Sequence, residues 1–215
     1  MHFHPALNAG WFLFITPTPP LLGAICLPTM TVQQYLTIVS VTLQTGTNWI
    51  DISNLVWDGK VLDSITIEEN HTVDYTYTSD GLRTRKYEYN GNEYYYYDHS
   101  YVLDGSKILK ETILYSSAFN GNYTTILEYY YDESGISSFR HNGAYYYYLK
   151  NLQGDVIGII DNTGAVVVEY AYDAWGNILS VTGSLASTVG QANPFRYRSY
   201  YYDTDFAFHY SFLRH

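Results

Sequence analysis

Imidazole is the side chain most often recruited as a metal ligand or proton shuttle near neutral pH, so the seven histidines are the first place to look for chemistry. His2 and His4 stand two apart and would share one face of a strand as a metal pair, but no third ligand lies near them in sequence. Asp203 and Asp205 have the spacing of a paired carboxylate. In a chain with 21 acidic residues such pairs arise by chance, and a solvated turn is their expected setting. Arg196 and Arg198 alternate with Phe195 and Tyr197, as in a nucleic-acid patch; the acidic balance of the chain favours carboxylate pairing or stacking on tyrosine instead. Cys26 stands alone, so it makes no intrachain disulfide and anchors no zinc cluster. Asn70-His71-Thr72 and Asn122-Tyr123-Thr124 match N-glycosylation acceptors, which matter only in a glycosylating host. A nucleophile elbow, an HExxH helix, a phosphate loop, a dinucleotide fingerprint and an EF-hand loop are all missing. The chain is therefore expected to be no enzyme, with no catalytic, cofactor-binding or metal-ligating residue and no cofactor.

The surroundings of these residues narrow the class further. Eleven basic residues against 21 acidic ones give a net charge of -10 and a pI near 4.9, which opposes a sequence-independent grip on phosphate backbones. No nucleic-acid partner is expected. Hydrophobic residues at 47% and charged residues at 15% exclude wholesale disorder, and 215 residues suffice for one ordinary domain or a piece of a larger assembly. Residues 1 to 50 carry no Asp, Glu, Lys or Arg. The apolar stretch Gly10 to Cys26 lacks the basic start of a signal peptide and is interrupted by Pro17, Pro19 and Pro20, so neither a signal peptide nor a membrane span is expected. The opening reads as an extended lead-in, or as sequence picked up from outside the true reading frame.

From about Leu55 the pattern becomes short aromatic and β-branched runs separated by turn residues. Turns are expected at Asp58-Gly59, Ser79-Asp80-Gly81, Asn90-Gly91-Asn92, Asp104-Gly105 and Asn120-Gly121-Asn122. Further turns are expected at Asp132 to Gly135, His141 to Gly143, Gln153 to Asp155, Asp161 to Gly164 and Asp173 to Gly176. No proline falls between Pro28 and Pro194, as continuous ladders require. The only helix-friendly piece is Ser184 to Val189. Tyr75 and Tyr77 share a strand face, and so do Val168, Tyr170 and Tyr172. The runs Tyr94 to Tyr97 and Tyr145 to Tyr148 place tyrosine on both faces, which predicts an amphipathic neighbour on each side. All but one of the 26 tyrosines lie at Tyr75 or beyond.

Tyr-Asp recurs at Tyr97-Asp98, Tyr131-Asp132, Tyr172-Asp173 and Tyr202-Asp203, and the second and third extend to Tyr-Asp-x-x-Gly. The tyrosine would end a strand, the aspartate would accept turn amides, and the glycine would take the left-handed position. The segment Tyr145-Tyr146-Tyr147-Tyr148-Leu149-Lys150-Asn151-Leu152-Gln153-Gly154-Asp155-Val156 resembles the signature of bacterial Rhs proteins, also called YD-repeat proteins. With Glu169-Tyr170-Ala171-Tyr172-Asp173-Ala174-Trp175-Gly176-Asn177 and Asn193-Pro194-Phe195-Arg196-Tyr197-Arg198-Ser199-Tyr200-Tyr201-Tyr202-Asp203, it resembles the Rhs repeat-associated core in order and spacing. The likeness runs from about Leu55 to Asp203 and is most specific after Tyr145.

The resemblance implies an all-β chain of consecutive antiparallel hairpins, part of a spiral shell, with little helix. In the family such shells hold a C-terminal toxin until delivery, and insecticidal toxin complexes and animal teneurins carry similar ones. Many bacterial members end in an aspartate-dependent self-cleavage segment containing Asp-Pro. This chain has no Asp-Pro and reads Asp205-Phe206-Ala207-Phe208 after Thr204, so no cleavage residue is carried over. The expected division is a lead-in at 1–50, a core-like β region at 55–203 and a divergent tail at 204–215. The implied role is a structural shell fragment of an Rhs-type delivery protein, with the rest of the shell and its toxin cargo as partners. Full-length relatives would be secreted or at the cell surface. A freestanding β module binding a carbohydrate or surface, with a cell-surface glycan as partner, is the alternative. A remnant of a longer gene is the second. A sheet cut from its shell also implies self-association through open strand edges.

Overall fold

The computed structural model describes residues 35–38, 41–45, 48–52, 54–68, 70–203 and 208–210. His2, His4, Cys26, the Gly10 to Cys26 stretch and Asp205 lie outside them. The chain divides into two compact units, one reaching to Asp98 and including Ser116–Gly121, the other made of His99–Tyr115 and the residues from Asn122 onward.

The first unit contains β1 (Tyr35–Ile38), β2 (Val41–Thr45), β3 (Asn48–Ile52), β4 (Asn54–Asp58), β5 (Val61–Glu68), β6 (His71–Tyr77), β7 (Arg83–Asn90) and the beginning of β8 (Tyr95–Asp104). Its strands from β4 onward pair each with the next, β1 lies on the other side of β4, and β2 and β3 form a separate hairpin. Strands β1 to β3 thus fall largely within the segment read as a lead-in. The second unit takes the end of β8 and most of β9 (Lys107–Ser117) and β10 (Gly121–Asp132). It continues with β11 (Gly135–His141), β12 (Ala144–Lys150), β13 (Val156–Asp161), β14 (Val166–Tyr172) and β15 (Ile178–Thr182), again each hydrogen-bonded to the next. A returning segment follows, with a single helical turn α1 (Val189–Ala192), a 3₁₀ turn at Tyr197–Ser199, β16 (Tyr201–Asp203) and β17 (Phe208–Tyr210). The all-β meander of successive hairpins expected from the sequence is what forms, and among the described residues helix is confined to α1 and the 3₁₀ turn.

The turn chemistry works as anticipated. At each expected turn except the one around Gly91 the glycine has positive φ; there the left-handed residue is Tyr94, at φ 57°. Asp132, Asp161 and Asp173 each accept the amide two residues on, at 2.7–2.8 Å, which closes the Tyr-Asp-x-x-Gly turns and the Asp161 turn alike. Two of the four Tyr-Asp pairs depart from expectation. Asp98 lies within β8, where it takes both ends of the Arg85 guanidinium at 2.7 and 2.8 Å. Asp203 lies in β16 and is 3% exposed, so it is no solvated turn residue. Neither pair is followed by the glycine that lets a chain reverse.

A second regularity links tyrosine to sheet geometry. Tyr77 on β6, Tyr131 on β10 and Tyr172 on β14 each sit immediately after a register shift. Each donates its hydroxyl to a carbonyl of the preceding strand: Leu62 at 2.7 Å, Ile108 at 2.9 Å and Val156 at 2.7 Å. Two positions earlier stand Tyr75, Tyr129 and Tyr170, all buried. The device, Tyr-x-Tyr facing a bulge in the following strand, therefore returns every fourth strand. Burial pushes the Tyr131 phenol up to about 12.

The core of the second unit lies on one sheet face, built by Leu127, Tyr129, Phe139, Tyr148, Ile159 and Val168, with Val189, Phe195 and Tyr201 of the returning segment packed on it. Strand alternation selects this face. Tyr146 and Tyr148 stack on Phe139 at ring separations of 5.4 and 5.0 Å, while Tyr145 and Tyr147 point the other way and stay about half exposed, at 46% and 45%. The tetratyrosine run thus meets a packed layer on one face only.

Candidate functional site

The polar groups with unusual environments gather where the returning segment lies on the sheet of the second unit. On β9 Ile108, Glu111 and Tyr115 are buried, and this places a carboxylate, 1% exposed, among aromatic rings. Isolated, that charge would be costly. It is instead surrounded by donors. His99 on β8 brings Nδ1 to 2.7 Å from Oε1, Tyr201 on β16 donates to Oε1 at 2.8 Å, and Tyr129 on β10 donates to Oε2 at 3.0 Å. A carboxylate only accepts, so the His99 proton is on Nδ1. With the Tyr201 proton committed to Glu111, the Tyr101 hydroxyl 3.2 Å away is the donor of that contact. Burial opposes ionisation of Glu111, but His99 and the two phenols outweigh it and hold the carboxyl below its ordinary range. Burial and the adjacent Glu111 charge push the Tyr129 and Tyr201 phenols well up.

A second centre, Asn193, is fully buried and uses all of its hydrogen-bonding capacity. Its Oδ1 accepts the Tyr148 hydroxyl at 2.7 Å and the Phe195 amide at 3.3 Å, and its Nδ2 donates to the Phe195 carbonyl at 2.7 Å and to the Tyr170 hydroxyl at 3.2 Å. Tyr170 in turn donates to the Gly190 carbonyl at 2.8 Å. Arg196, 3% exposed, lies over the rings of Tyr170 and Tyr202 and donates to the Asn193 carbonyl at 3.2 Å. Arg198 stands 3.7 Å from Asp155, and its amide donates to the same carboxylate at 2.9 Å. Stacking on tyrosine and pairing with a carboxylate are the roles expected of these arginines. Arg198 and Ser199 both hold φ at 54°, a left-handed pair that the Asp155 contact and the Ser199 hydroxyl bond to the Gly154 carbonyl keep in place.

The first unit repeats one part of this arrangement. His71 on β6 is 3.0 Å from Glu88 on β7, and Tyr95 on β8 donates to the same oxygen at 3.2 Å. The residue types and strand order match His99 on β8, Glu111 on β9 and Tyr129 on β10. Both carboxylates are held by donors, and Glu111, held below its ordinary range, is a weak base. What Glu111 does chemically is to fix three strands and the returning segment about one charge.

None of Glu111, Glu88 or His99 stands out in the sequence by motif, and Asn193 does so only as the first residue of the third segment that resembles the Rhs core, with no role attached to it. The available signals were a glutamate in a strand that also carries Ile108, Ile113 and Tyr115, and the Asn193-Pro194 pair within the returning segment. Among the described residues no group of three or more His, Cys, Asp and Glu is placed to hold a metal, and no helix is long and apolar enough to cross a membrane.

Comparison with known proteins bears on this architecture. No family model matches the chain. In sequence it is 33% identical over 165 residues to a tRNA3(Ser)-specific nuclease WapA of Bacillus spizizenii, a match covering 74% of this chain and 6% of that protein. It is 34% identical over 117 residues to the tRNA nuclease WapA of Bacillus subtilis, covering 54% of this chain and 5% of the relative. In fold it is similar to the crystal structure of TcdB2-TccC3-Cdc42, with a TM-score of 0.61 over 79% of this chain, 11% of that one, and 13% identity. TcdB2-TccC3 without its hypervariable C-terminal region gives 0.58 at 12% identity. These likenesses support an Rhs-like chain, without singling out the repeat-associated core. The chain spans about one sixteenth of the length of the first of these relatives.

The names correct one expectation. The chain was expected to be no enzyme, yet proteins related to it in sequence are nucleases acting on tRNA. That expectation rested on missing catalytic motifs, and a stretch matching 6% of a relative's length carries no information about motifs in the remainder.

Proposed function

We propose that the chain is a wall segment of the β-hairpin shell of an Rhs-type toxin protein, encapsulating or presenting a C-terminal effector. By the names of its relatives, the effector class is a nuclease acting on tRNA. The proposed division is a core-like wall at 55–203, preceded by a lead-in and followed by a divergent tail; the neighbouring shell strands and the effector are its partners, and secretion or surface display is its setting.

The observation that carries this reading is the returning segment. A plain meander would leave its inward face open after β15. Here Gly183 to Asp203 folds back and is tied to that face through Glu111, Asn193 and Asp155. Such a segment finishes a wall and aims the following chain from a fixed point, as a protein handing over to an effector requires.

Limited proteolysis of a protein carrying this segment upstream of its effector tests the proposal. The effector should resist digestion until the shell is denatured. Digestion at the rate of the isolated effector would refute the encapsulating role.

A further inference from the structure

On the second unit, the turn between β11 and β12 and the turn between β13 and β14 stand beside each other with Leu185 of the returning segment. Between them lies an open-sided cavity of about 270 Å³, lined by Gly143, Ala144, Tyr145, Tyr146, Asp161, Asn162 and Leu185. From these residues we infer a sugar-binding subsite for a single neutral pyranose, a site that goes beyond the shell role proposed above.

The chemistry of the lining is uneven in the way sugar recognition needs. Gly143 and Ala144 carry little or no side chain and, with Leu185 and Tyr146 on the same sheet face, supply apolar surface for the C–H face of a pyranose. Asp161 supplies a fixed acceptor. Its Oδ1 takes the Thr163 amide at 2.8 Å, the Thr163 hydroxyl at 2.6 Å and the Ala165 amide at 3.1 Å, which orients the carboxylate and leaves Oδ2 without a bond among the described residues. These same bonds, the Thr163 hydroxyl first, hold the Asp161 carboxyl below its ordinary range, so it stays an acceptor at neutral pH. Asn162 offers one acceptor and two donors, and its amide makes no hydrogen bond among the described residues. A rigid carboxylate oxygen beside a free carboxamide is a match for two vicinal hydroxyls, each of which both donates and accepts. Acidic sugars fit poorly, since Asp161 lies in the cavity of a chain at -10. The volume falls just under the range of about 300–1,000 Å³ typical of ligand pockets, which limits the occupant to one ring and the affinity to about the millimolar range.

The test is saturation-transfer NMR on the full chain with the methyl glycosides of glucose, galactose, mannose and N-acetylglucosamine as probes. At least one should receive saturation through its ring C–H protons, with a titrated affinity in the millimolar range. Asn162→Ala removes a side chain with no partner of its own, so it should leave folding intact and weaken binding about fivefold to tenfold. Ala144→Trp should fill the cavity and abolish transfer, while Leu152→Ala, at a different turn, should change nothing. Absence of transfer to all four glycosides, or transfer that survives both Asn162→Ala and Ala144→Trp, overturns the subsite. Neither result touches the shell reading, whose own test is protection of the effector.

Discussion

Tyr201 donates its hydroxyl to Glu111 at 2.8 Å across 90 positions of sequence, so a carboxylate buried on β9 holds the strand that ends the returning segment. Glu111→Ala would leave His99, Tyr129 and Tyr201 facing a hole with their donors unmatched. The expected loss is about 3–5 kcal/mol, whereas Tyr201→Phe, which removes one of the three donors, should cost about 1–2 kcal/mol. Urea denaturation of the two variants gives both numbers. Similar midpoints for Glu111→Ala and the wild type would mean that the carboxylate anchors nothing.

The same cluster sets limits at both ends of the pH scale. Despite burial, His99 and the phenols hold the folded Glu111 carboxyl below its ordinary value of 4.5, so its contribution is complete above that value and is lost as pH falls through the folded one. The phenols of Tyr129, Tyr148 and Tyr201 are raised by burial above their ordinary 10.0; their contribution is complete below 10.0 and is lost as pH rises from there through the folded values. Far-ultraviolet circular dichroism should therefore show a plateau bounded by an acid limb below 4.5 and an alkaline limb above 10.0. The buried tyrosines should give tyrosinate absorbance only in step with the alkaline limb. Complete tyrosinate formation with the sheet signal intact would show that these rings are open to water.

Much of the fold is legible because its rules are local. Asp132, Asp161 and Asp173 close turns with their own neighbouring amides, and strand alternation alone places Tyr146 and Tyr148 on the opposite face from Tyr145 and Tyr147. The site is not legible, because its partners come from distant parts of the chain. Tyr148 and Asn193 are 45 apart, and nothing near either marks the other. Asp98 and Asp203 show the limit of a dipeptide: the same Tyr-Asp that turns the chain when a glycine follows stays inside a strand when none does. The single helical turn at Val189–Ala192 begins where the helix-friendly stretch was expected to end, because Asn193 and Gly190 are fixed by tyrosines of the sheet and not by helix propensity.

Two glycines with similar backbone angles should respond differently to the same change. Gly164, at φ 86°, has nothing within 4 Å of where a Cβ would sit, so Gly164→Ala meets only left-handed strain, about 1 kcal/mol. Gly183, at φ 111°, would place its Cβ 2.4 Å from the Val167 carbonyl oxygen, the atom that accepts the Leu185 amide at 2.9 Å. Gly183→Ala must therefore push the returning segment away from β14, and about 3 kcal/mol or more is expected. Thermal unfolding of both variants compares them directly, and equal shifts would mean that the turn after β15 does not set the position of the segment.

β15 is the edge of its sheet, and its five residues, Ile178 to Thr182, include neither a proline nor a charge to discourage another strand from pairing there. Leu179, 67% exposed, adds apolar area to that edge. The net charge of -10 opposes association near neutral pH, and that repulsion weakens with added salt or as the pH approaches 4.9. The chain should therefore sediment as larger species at high salt and near pH 5, close to its pI. Leu179→Lys separates edge pairing from simple loss of repulsion. It reduces the net negative charge, which by repulsion alone would favour association, while placing an ammonium on the edge that another strand would have to cover. Less association in this variant under the same conditions assigns the contact to β15, and more association would assign it to charge neutralisation elsewhere on the surface.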